Sequence, residues 1–388
     1  MKLEDVKKIA VIGSGAMGHG IAQVCAVAGM SVVIKDIKQE FLDNAVAKVK
    51  ESLAFLVGKG KITQDLMDNV MNNLLTTTLD TKEAVGDAQV VIEAVPEILD
   101  LKKSVFKEIS ELAPKDAILA TNTSTMSISE IGSVVTNQER FVGMHFFNPV
   151  NRMKLVEVIY GNKTTDETAD LLVAVSEKIG KKPIKVMKDS PGFIVNRINA
   201  PNQALFSAVL DEGQEQPCEI DTALKETGMP MGPFELADYV GLDVFCHTLE
   251  YYAKTLSKDY TPGKVLTEKM EKKELGMKTG KGIYEWKGGK AVIDLSKKSV
   301  AVGPMELLAV QLNEAVKVYK EEVSTSTTDI DNAMVFGMNA FMGPFALCAG
   351  QDPKILEDIL TKLSERFKLD IIKPEPEVVD GSYKNFNK

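Results

Sequence analysis

Short apolar runs alternate with polar stretches of helical character along the first half of the chain. The runs occupy residues 8–12, 31–35, 90–92, 117–119 and 141–142. Strands that are nearly continuous in apolar residues are typical of a parallel sheet whose two faces are both covered by helices. The pattern therefore predicts that residues 1–190 form one doubly wound α/β domain.

The pattern changes after Gly192, where the strand-like runs stop. Ile194, Ile198, Leu205 and Val209 recur at helical spacing and define one apolar face. We therefore expect an all-α domain at residues 191–295.

A long internal repeat extends this helical region. The segment EIDTA at 219–223 corresponds to DIDNA at 329–333, and MGPF at 231–234 recurs at 342–345, so the offset is about 110 positions. The second copy begins with an amphipathic segment that contains Met305, Leu308, Leu312, Val316 and Tyr319. The repeat predicts a second helical domain at 296–372, and residues 373–388, with two prolines, are expected to form a loose tail.

Composition excludes several classes of protein. The 388 residues carry a net charge of −9 without an offsetting basic stripe, which argues against nucleic acid or an anionic membrane as the main partner. The four cysteines have neither disulfide-rich density nor metal-ligand spacing, so we predict reduced thiols and no metal site. Without a signal peptide or a long apolar span, the expected location is the cytoplasm.

A glycine-rich turn follows the first predicted strand. Gly13 permits a tight turn, Gly15 lets the backbone approach a pyrophosphate, and Gly18 lets the helix and strand pack closely. Asp36 ends the second strand, 18 residues past Gly18, where a carboxylate accepts hydrogen bonds from the ribose hydroxyls and repels a 2′-phosphate. The unit predicts NAD rather than NADP, although Lys35 and Lys38 flank Asp36. The whole turn comprises Gly13, Ser14, Gly15, Ala16, Met17 and Gly18.

One of the three histidines is a candidate general base. His145 ends an apolar run, and Glu157 lies on the next predicted strand. A carboxylate beside a histidine fixes its tautomer and stabilises the imidazolium form. On spacing alone, a core histidine bonded to a backbone group is the more usual interpretation of His145, and the other features of the chain change that balance. His19 and His247 are interpreted as structural residues.

Two more predicted strands end in polar clusters, at 93–97 and 121–124. Ligands bind at the carboxyl ends of the strands in such sheets. The serine and asparagine side chains there could instead cap the helices that follow.

Seven separated motifs resemble those of the 3-hydroxyacyl-CoA dehydrogenases, including the short-chain 3-hydroxybutyryl-CoA enzymes. They are GSGAMGHGIA at 13–22, NTST at 122–125, HFFNPV at 145–150, KLVEV at 154–158, DSPGFIVNR at 189–197, MGPFELAD at 231–238 and KTGKGIYEW at 278–286. The chain departs from the usual pattern at Asn151 and Arg152, where many members have a proline, and at Thr125, where NTSS is commoner.

The resemblance implies a Rossmann-type NAD-binding domain and specific roles for individual residues. His145 would be the catalytic base with Glu157 as its partner, while Ser124 and Asn196 would bind the reacting oxygen or the nearby thioester carbonyl. The cofactor would be surrounded by Glu97, Lys102, Ser124, Asn148 and Lys278. Ser52, Lys59 and Ser124 match positions that touch CoA, although Lys59 could be a plain solvated lysine.

The expected function is NAD-dependent oxidation of an (S)-3-hydroxyacyl-CoA, with a short acyl chain, or the reverse reduction. One alternative is a dehydrogenase of a free hydroxy acid, such as L-gulonate, and another is a catalytically silent NAD-binding structural relative. Only the first helical copy follows a PGFIVNR motif, so we predict one active site per chain. In relatives with one helical copy, that copy pairs with its twin in a second chain. Here we expect an internal pseudo-dimer of the two copies, and further homo-oligomers are possible.

Overall fold

The computed structural model describes residues 1–299 and 301–387, which fall into two compact units. The first unit comprises Met1–Phe193 together with Glu322–Phe341, and the second comprises Ile194–Glu321 together with Met342–Lys388. These units divide the chain differently from the three domains and tail expected from the sequence, because Glu322–Phe341, within the predicted second copy, groups with the N-terminal sheet.

The strands are β1 (Lys8–Ile12), β2 (Ser31–Lys35), β3 (Leu75–Thr78), β4 (Val90–Glu93), β5 (Ile118–Thr121), β6 (Phe141–Phe146), β7 (Leu155–Tyr160), β8 (Lys182–Val186), β9 (Trp286–Lys287) and β10 (Lys290–Ala291). The α-helices of the N-terminal part are α1 (Gly18–Val27), α2 (Gln39–Gly58), α3 (Gln64–Asn69), α4 (Thr81–Val85), α5 (Leu99–Leu112), α6 (Ile128–Gly132) and α7 (Asp166–Lys178). Those that follow are α8 (Val195–Glu212), α9 (Pro217–Lys225), α10 (Pro233–Val240), α11 (Leu242–Thr255), α12 (Lys264–Glu271), α13 (Pro304–Lys320), α14 (Thr327–Met338), α15 (Pro344–Cys348), α16 (Pro353–Phe367) and α17 (Pro376–Val379).

The first unit is built on a single large sheet. Its eight strands in the described part of the chain have the order β3-β2-β1-β4-β5-β6-β7-β8. Strands β1 to β6 are parallel, which confirms the predicted doubly wound arrangement for them. Because helices cover both faces, β4, β5 and β6 are buried along their whole length.

The prediction of a parallel sheet is wrong at one end. Strand β7 pairs antiparallel with β6, and β8 pairs parallel with β7, so these last two strands run against the other six. The connection from β6 to β7 comprises only residues 147–154, and a parallel crossover needs a dozen residues or more. The chain therefore reverses directly after His145.

The second unit has two long helices, α8 and α13, that pack against each other. A buried ion pair joins them, because Arg197 Nε on α8 donates to Glu314 Oε1 on α13 over 2.5 Å. Asn199 Oδ1 on α8 also accepts from Gln311 Nε2 on α13 at 2.8 Å. An unpaired charge is costly to bury, so Arg197 and Glu314 favour this one pairing of α8 with α13. The helix contact is therefore specific as well as apolar.

The repeated motifs begin similar local structures. The MGPF segment at 231–234 gives Gly232 as the N-cap of α10, and its counterpart at 342–345 gives Gly343 as the N-cap of α15. Each helix has proline as its first residue, where the missing N–H costs nothing. Helices α9 and α14 contain the EIDTA and DIDNA segments.

The expectation of a loose C-terminal tail is wrong for its described residues. The segment forms α17 and a 3₁₀ turn at Ser382–Asn385, and Tyr383 is 2% exposed. The Tyr383 hydroxyl donates to the Cys348 carbonyl oxygen at 2.8 Å. The buried Tyr383 ring and its hydrogen bond hold this segment in place. Its two prolines and its polar residues had suggested a loose tail.

Among the described residues, the structure contains no helix long and apolar enough to cross a membrane.

The segment that carries the motif KTGKGIYEW is held by one buried carboxylate. Asp238, on α10, is 0% exposed and accepts hydrogen bonds from Ile283 N at 2.8 Å, Tyr284 N at 2.8 Å and Trp286 Nε1 at 3.0 Å. Removing it leaves three donors without this acceptor in a site that excludes water.

We expect Asp238→Ala to lower the free energy of unfolding by about 2–4 kcal/mol. Each unsatisfied buried donor costs about 1–3 kcal/mol, and local rearrangement of the structure recovers part of the summed cost. Trp286 is the only tryptophan in the sequence, so its fluorescence reports this region during urea unfolding, with circular dichroism as a global probe. The exposed Asp116→Ala serves as the matched control. An Asp238→Ala midpoint equal to that of the wild type would contradict the assigned role.

Candidate active site

Five adjacent strand ends carry most of the predicted site residues in the first unit. Strands β2, β1, β4, β5 and β6 are neighbours and parallel, so their carboxyl ends lie along one edge of the sheet. This edge brings together Asp36, the glycine turn, the polar segment after Glu93, Ser124 and His145. Ligands bind at this edge in doubly wound sheets.

The glycine turn has the steric requirements that its sequence predicted. Gly13 has φ +102°, and a Cβ there would lie 2.6 Å from the Ala94 carbonyl oxygen. A Cβ on Gly18 would lie 1.8 Å from the Gly13 carbonyl oxygen, whereas Gly15 faces open space within 4 Å. The turn thus needs glycine at its first and last positions, and its middle leaves room for a ligand beside the backbone that leads into α1.

Asp36 lies beside this turn with a fixed orientation. Its Oδ2 atom accepts from the Ser14 backbone N at 2.7 Å and from Ser14 Oγ at 2.6 Å. Its Oδ1 atom accepts from Ile37 N at 2.7 Å. A half-buried carboxylate held this way is available to further hydroxyl donors.

His145 and Glu157 form a buried pair across the antiparallel strands. They are register partners of β6 and β7, and His145 Nδ1–H donates to Glu157 Oε2 over 2.7 Å. His145 is 5% exposed and Glu157 is 0% exposed. This bond assigns the proton of the neutral ring to Nδ1, so Nε2 carries the lone pair that a base needs. The rings of Phe147 and Phe193 flank the imidazole at centroid distances of 4.3 and 5.8 Å.

A network of charges follows β4. Lys102 is 1% exposed, and its Nζ lies 2.8 Å from Glu93 Oε1 and 3.1 Å from Glu97 Oε2. Glu93 is fully buried and also accepts from Thr121 Oγ1 at 2.7 Å and from Val95 N at 2.7 Å. The ammonium is therefore fixed between two carboxylates.

This network connects the predicted cofactor residues to Ser124. Glu97 Oε1 accepts from Ser124 N at 2.9 Å and from Thr123 Oγ1 at 2.5 Å. Burial by itself would raise the pKa of Glu97, but the Lys102 ammonium and these hydrogen bonds outweigh burial and lower it. Glu97 is consequently ionised at neutral pH and orients the loop that bears Ser124.

Asn122 ties the same loop to the strand of His145. Its Oδ1 atom accepts from Phe146 N at 2.8 Å, so the polar cluster at 121–124 binds other elements rather than capping a helix. Glu93, Thr121 and Asn122 were not predicted from the sequence as functional residues. Their position at the carboxyl ends of strands was the signal that could have identified them.

Two of the three predicted CoA residues, Ser52 and Lys59, lie on and next to α2 in the first unit. Ser52 is half-buried, and its Oγ accepts from Asn151 Nδ2 at 3.0 Å. Asn151 is one of the positions where this chain departs from the family pattern, so the departure directly contacts the predicted CoA region. Lys59 is exposed, with Nζ 5.6 Å from the centre of the Phe55 ring, and Asn148 is exposed in the loop after β6.

The remaining predicted site residues belong to the second unit. Asn196 lies in the first turn of α8, and Lys278 forms an ion pair with Asp243. Their assignments stay predictions. His247 is exposed on α11. In the first unit, His19 Nδ1–H donates to the Gly15 carbonyl oxygen at 2.7 Å, and burial lowers the His19 pKa.

The first unit fits a dinucleotide on steric and electrostatic grounds. Gly15 leaves space next to the backbone, the N-terminus of α1 follows directly, and the Asp36 carboxylate lies beside the turn. Within residues 1–299 and 301–387 no group of His, Cys, Asp or Glu could hold a metal ion. The arrangement can bind an anionic pyrophosphate, accept hydroxyl hydrogens at Asp36 and take a proton at His145.

Comparison with known proteins agrees with this geometry. Residues 8–190 match the family model for the "3-hydroxyacyl-CoA dehydrogenase, NAD binding domain", and residues 192–286 match the model for the "C-terminal domain" of the same family. The α subunit of the fatty acid oxidation complex of Psychrobacter cryohalolentis is 36% identical over 361 residues, which cover 87% of this chain and 49% of that protein. The chain thus spans about half the length of several curated relatives that it matches.

Other relatives are matched over nearly their whole length. A probable 3-hydroxybutyryl-CoA dehydrogenase of Deinococcus radiodurans is 40% identical over 284 residues, which cover 72% of this chain and 100% of that protein. The crystal structure of 3-hydroxybutyryl-CoA dehydrogenase from Escherichia coli K12 has a TM-score of 0.86 at 29% identity and covers 97% of this chain and 98% of its own. Because both family models and these relatives match the chain, it belongs to the 3-hydroxyacyl-CoA dehydrogenase family.

Proposed function

We propose that the protein catalyses NAD-dependent oxidation of (S)-3-hydroxybutyryl-CoA to the 3-keto thioester, and the reverse reduction. The observation that carries this proposal is the buried His145–Glu157 pair, with 2.7 Å between His145 Nδ1 and Glu157 Oε2. A neutral imidazole whose second nitrogen is oriented by a carboxylate is suited to remove the proton of a secondary alcohol. The names of the relatives support the choice of substrate.

His145 acts as the base in the oxidation. Its Nε2 takes the hydroxyl proton while Nδ1–H stays bonded to Glu157, whose carboxylate stabilises the imidazolium that forms. NAD, when bound, supplies the acceptor for the hydride that leaves the substrate carbon. In the reverse direction the imidazolium returns the proton to the 3-keto oxygen.

Ser124 and Asn196 are proposed to bind the oxygen whose charge changes. Hydroxyl and amide donors that are already oriented toward such an oxygen stabilise its developing negative charge without having to reorganise. Glu97 supports this arrangement in the first unit, because its bond to Ser124 N at 2.9 Å fixes the backbone of that residue. Glu97 and Lys102, together with Asn148 and Lys278, are proposed to surround the cofactor.

Ser52 and Lys59 are proposed to contact the CoA part of the substrate, together with Ser124. The direct experiment is NADH oxidation with acetoacetyl-CoA, compared with longer 3-ketoacyl-CoAs and with free acetoacetate. We expect turnover with acetoacetyl-CoA, a decline with longer chains, and no significant turnover of the free acid. Equal turnover of free acetoacetate would instead favour a dehydrogenase of free hydroxy acids.

The second helical copy is proposed to replace the twin that a single-copy relative takes from another chain. The packing of α8 against α13, the buried Arg197–Glu314 pair and the Arg366 contacts support it. Arg366, on α16, donates to Glu212 over 2.7 and 2.9 Å and to Glu215 over 3.0 Å. A partner domain within the same chain has a high effective concentration, so the full chain needs no second chain for this contact.

The first prediction concerns the pair. His145→Gln and Glu157→Gln should each lower kcat by orders of magnitude with little effect on the NADH dissociation constant, because they act in the transition state. The double variant should be no slower than about the slower single variant, since groups that act as a unit are not additive. Steady-state rates and NADH fluorescence titration provide the measurements, and His247→Gln on α11 is the matched control. If the two effects multiply, the residues act independently and the assigned dyad is wrong.

The second prediction concerns cofactor choice. Loss of the Asp36 carboxylate removes its hydrogen bonds to the ribose, which are worth about 1.5–3 kcal/mol as bonds to a charged group. Asp36→Ala should therefore raise the Michaelis constant for NADH at least roughly tenfold. Asp43→Ala, on the exposed face of α2, is the control. A wild-type enzyme that prefers NADPH would reject this assignment.

The third prediction concerns the helical repeat. A chain that ends before Gly303 lacks α13 to α17, so the apolar face of α8 and the Arg197 guanidinium lose their partners. Large exposed apolar patches recruit a partner or aggregate. Light scattering should show a dimer or a precipitate for the truncated protein, whereas the full chain needs no partner chain to cover this face. A truncated protein that stays monomeric, soluble and fully active would show that the second copy covers no surface that needs a partner.

A further inference from the structure

Helix α14 lies in the second repeat copy but packs in the first unit. The compact unit of the large sheet includes Glu322–Phe341, and within that unit α14 contacts β7 and β8. The approach to the helix is fixed by the backbone, because Met187 N, directly after β8, donates to the Val323 carbonyl oxygen at 2.8 Å. Lys188 Nζ also lies 2.8 Å from Glu322 Oε2.

The two faces of β7 and β8 can be assigned to different helices. Lys185 on β8 pairs with Asp170 on α7 over 2.5 Å, so α7 covers the face to which Lys185 points. Glu157 and Ile184 are register partners on the parallel strands β7 and β8, so their side chains point to the same face. Ile184 is adjacent to Lys185 in the chain, so this face is the one opposite to that of Lys185. Because α14 packs against both strands and α7 occupies the first face, α14 covers the face that carries Glu157.

The buried face of α14 is apolar. Ile330, Ala333, Met334 and Gly337 are buried and recur at the spacing of one helix face. On the strand side Glu157 is 0% and Ile184 is 6% exposed. A carboxylate in such surroundings is shielded from water, and its interaction with a nearby ring is stronger than it would be at the surface.

We infer that α14 positions Glu157: the buried face of this helix packs against the strand that carries the carboxylate and keeps it dry and oriented toward His145. This inference rests on the proposed function of the His145–Glu157 pair. It gives the second helical copy a role in catalysis as well as in packing against α8. The relevant side chains are positioning residues, since they act on the reaction through Glu157.

The test uses Met334→Ala in the full chain. Loss of this side chain opens space next to the strand, and small displacements of a catalytic group reduce the rate strongly. We expect kcat with NADH and acetoacetyl-CoA to fall about tenfold, while both Michaelis constants stay within about twofold. Met334→Leu, which keeps the volume, should restore kcat. Phe341→Ala removes a side chain that is 91% exposed in the same segment and should leave kcat unchanged.

A double variant separates positioning from general loss of stability. If α14 acts through Glu157, Met334→Ala should have little further effect on kcat when Glu157 is already Gln. A fall in kcat by the same factor in both backgrounds would overturn the inference. So would wild-type kcat in Met334→Ala and Ile330→Ala with unchanged circular dichroism.

Three other results would have distinct meanings. If Met334→Ala does not fold, Ile330→Val removes one methylene from the same face and is tested in both backgrounds, with the same criteria. If Glu157→Gln alone retains the wild-type rate, the proposed function of the pair fails. If Glu157→Gln is slow and the α14 variants are normal in rate, only the role of α14 is rejected.

Discussion

The reversal of the chain between β6 and β7 is the constraint on which the proposed catalytic pair depends. A connection of residues 147–154 is too short to return the chain for a parallel pairing, so β7 runs antiparallel and brings Glu157 opposite His145. Both side chains are buried, and a buried carboxylate needs hydrogen-bond donors in place of water. The imidazole N–H meets this need and in doing so leaves the other ring nitrogen as the base.

The other polar groups of the first unit extend the same principle along the sheet edge. Glu93 is fully buried and has Lys102, Thr121 and Val95 N as donors, while Lys102 also pairs with Glu97. Each buried charge therefore has fixed partners, and the last carboxylate of the series binds the backbone of the loop that bears Ser124. Donors held in this way are in place before a substrate arrives. Enzymes gain most of their electrostatic stabilisation of the transition state from such preorganised groups.

Local rules predicted part of this arrangement from the sequence. The glycine turn and Asp36 follow from steric and charge requirements that act over a few residues, and the structure places them side by side. The antiparallel end of the sheet was missed because apolar runs give the position of a strand and not its direction. The packed tail and the location of α14 depend on which surfaces meet in three dimensions, and amphipathic spacing shows only that a helix has an apolar face. Glu93 lay within a recognised polar cluster, but its bond to Lys102 required the fold.

The proposed role of the His145–Glu157 pair is the proton transfer that accompanies hydride transfer to and from carbon 3 of a CoA thioester. It is tested most directly by incubating acetoacetyl-CoA with NADH deuterated at the transferable position of its nicotinamide ring and analysing the product by mass spectrometry. We expect 3-hydroxybutyryl-CoA with one deuterium on carbon 3 from the wild type, and only traces of it from His145→Gln at equal NADH occupancy. Wild-type protein that binds NADH but yields no labelled product, or a His145→Gln variant that labels it at the wild-type rate, would contradict this role.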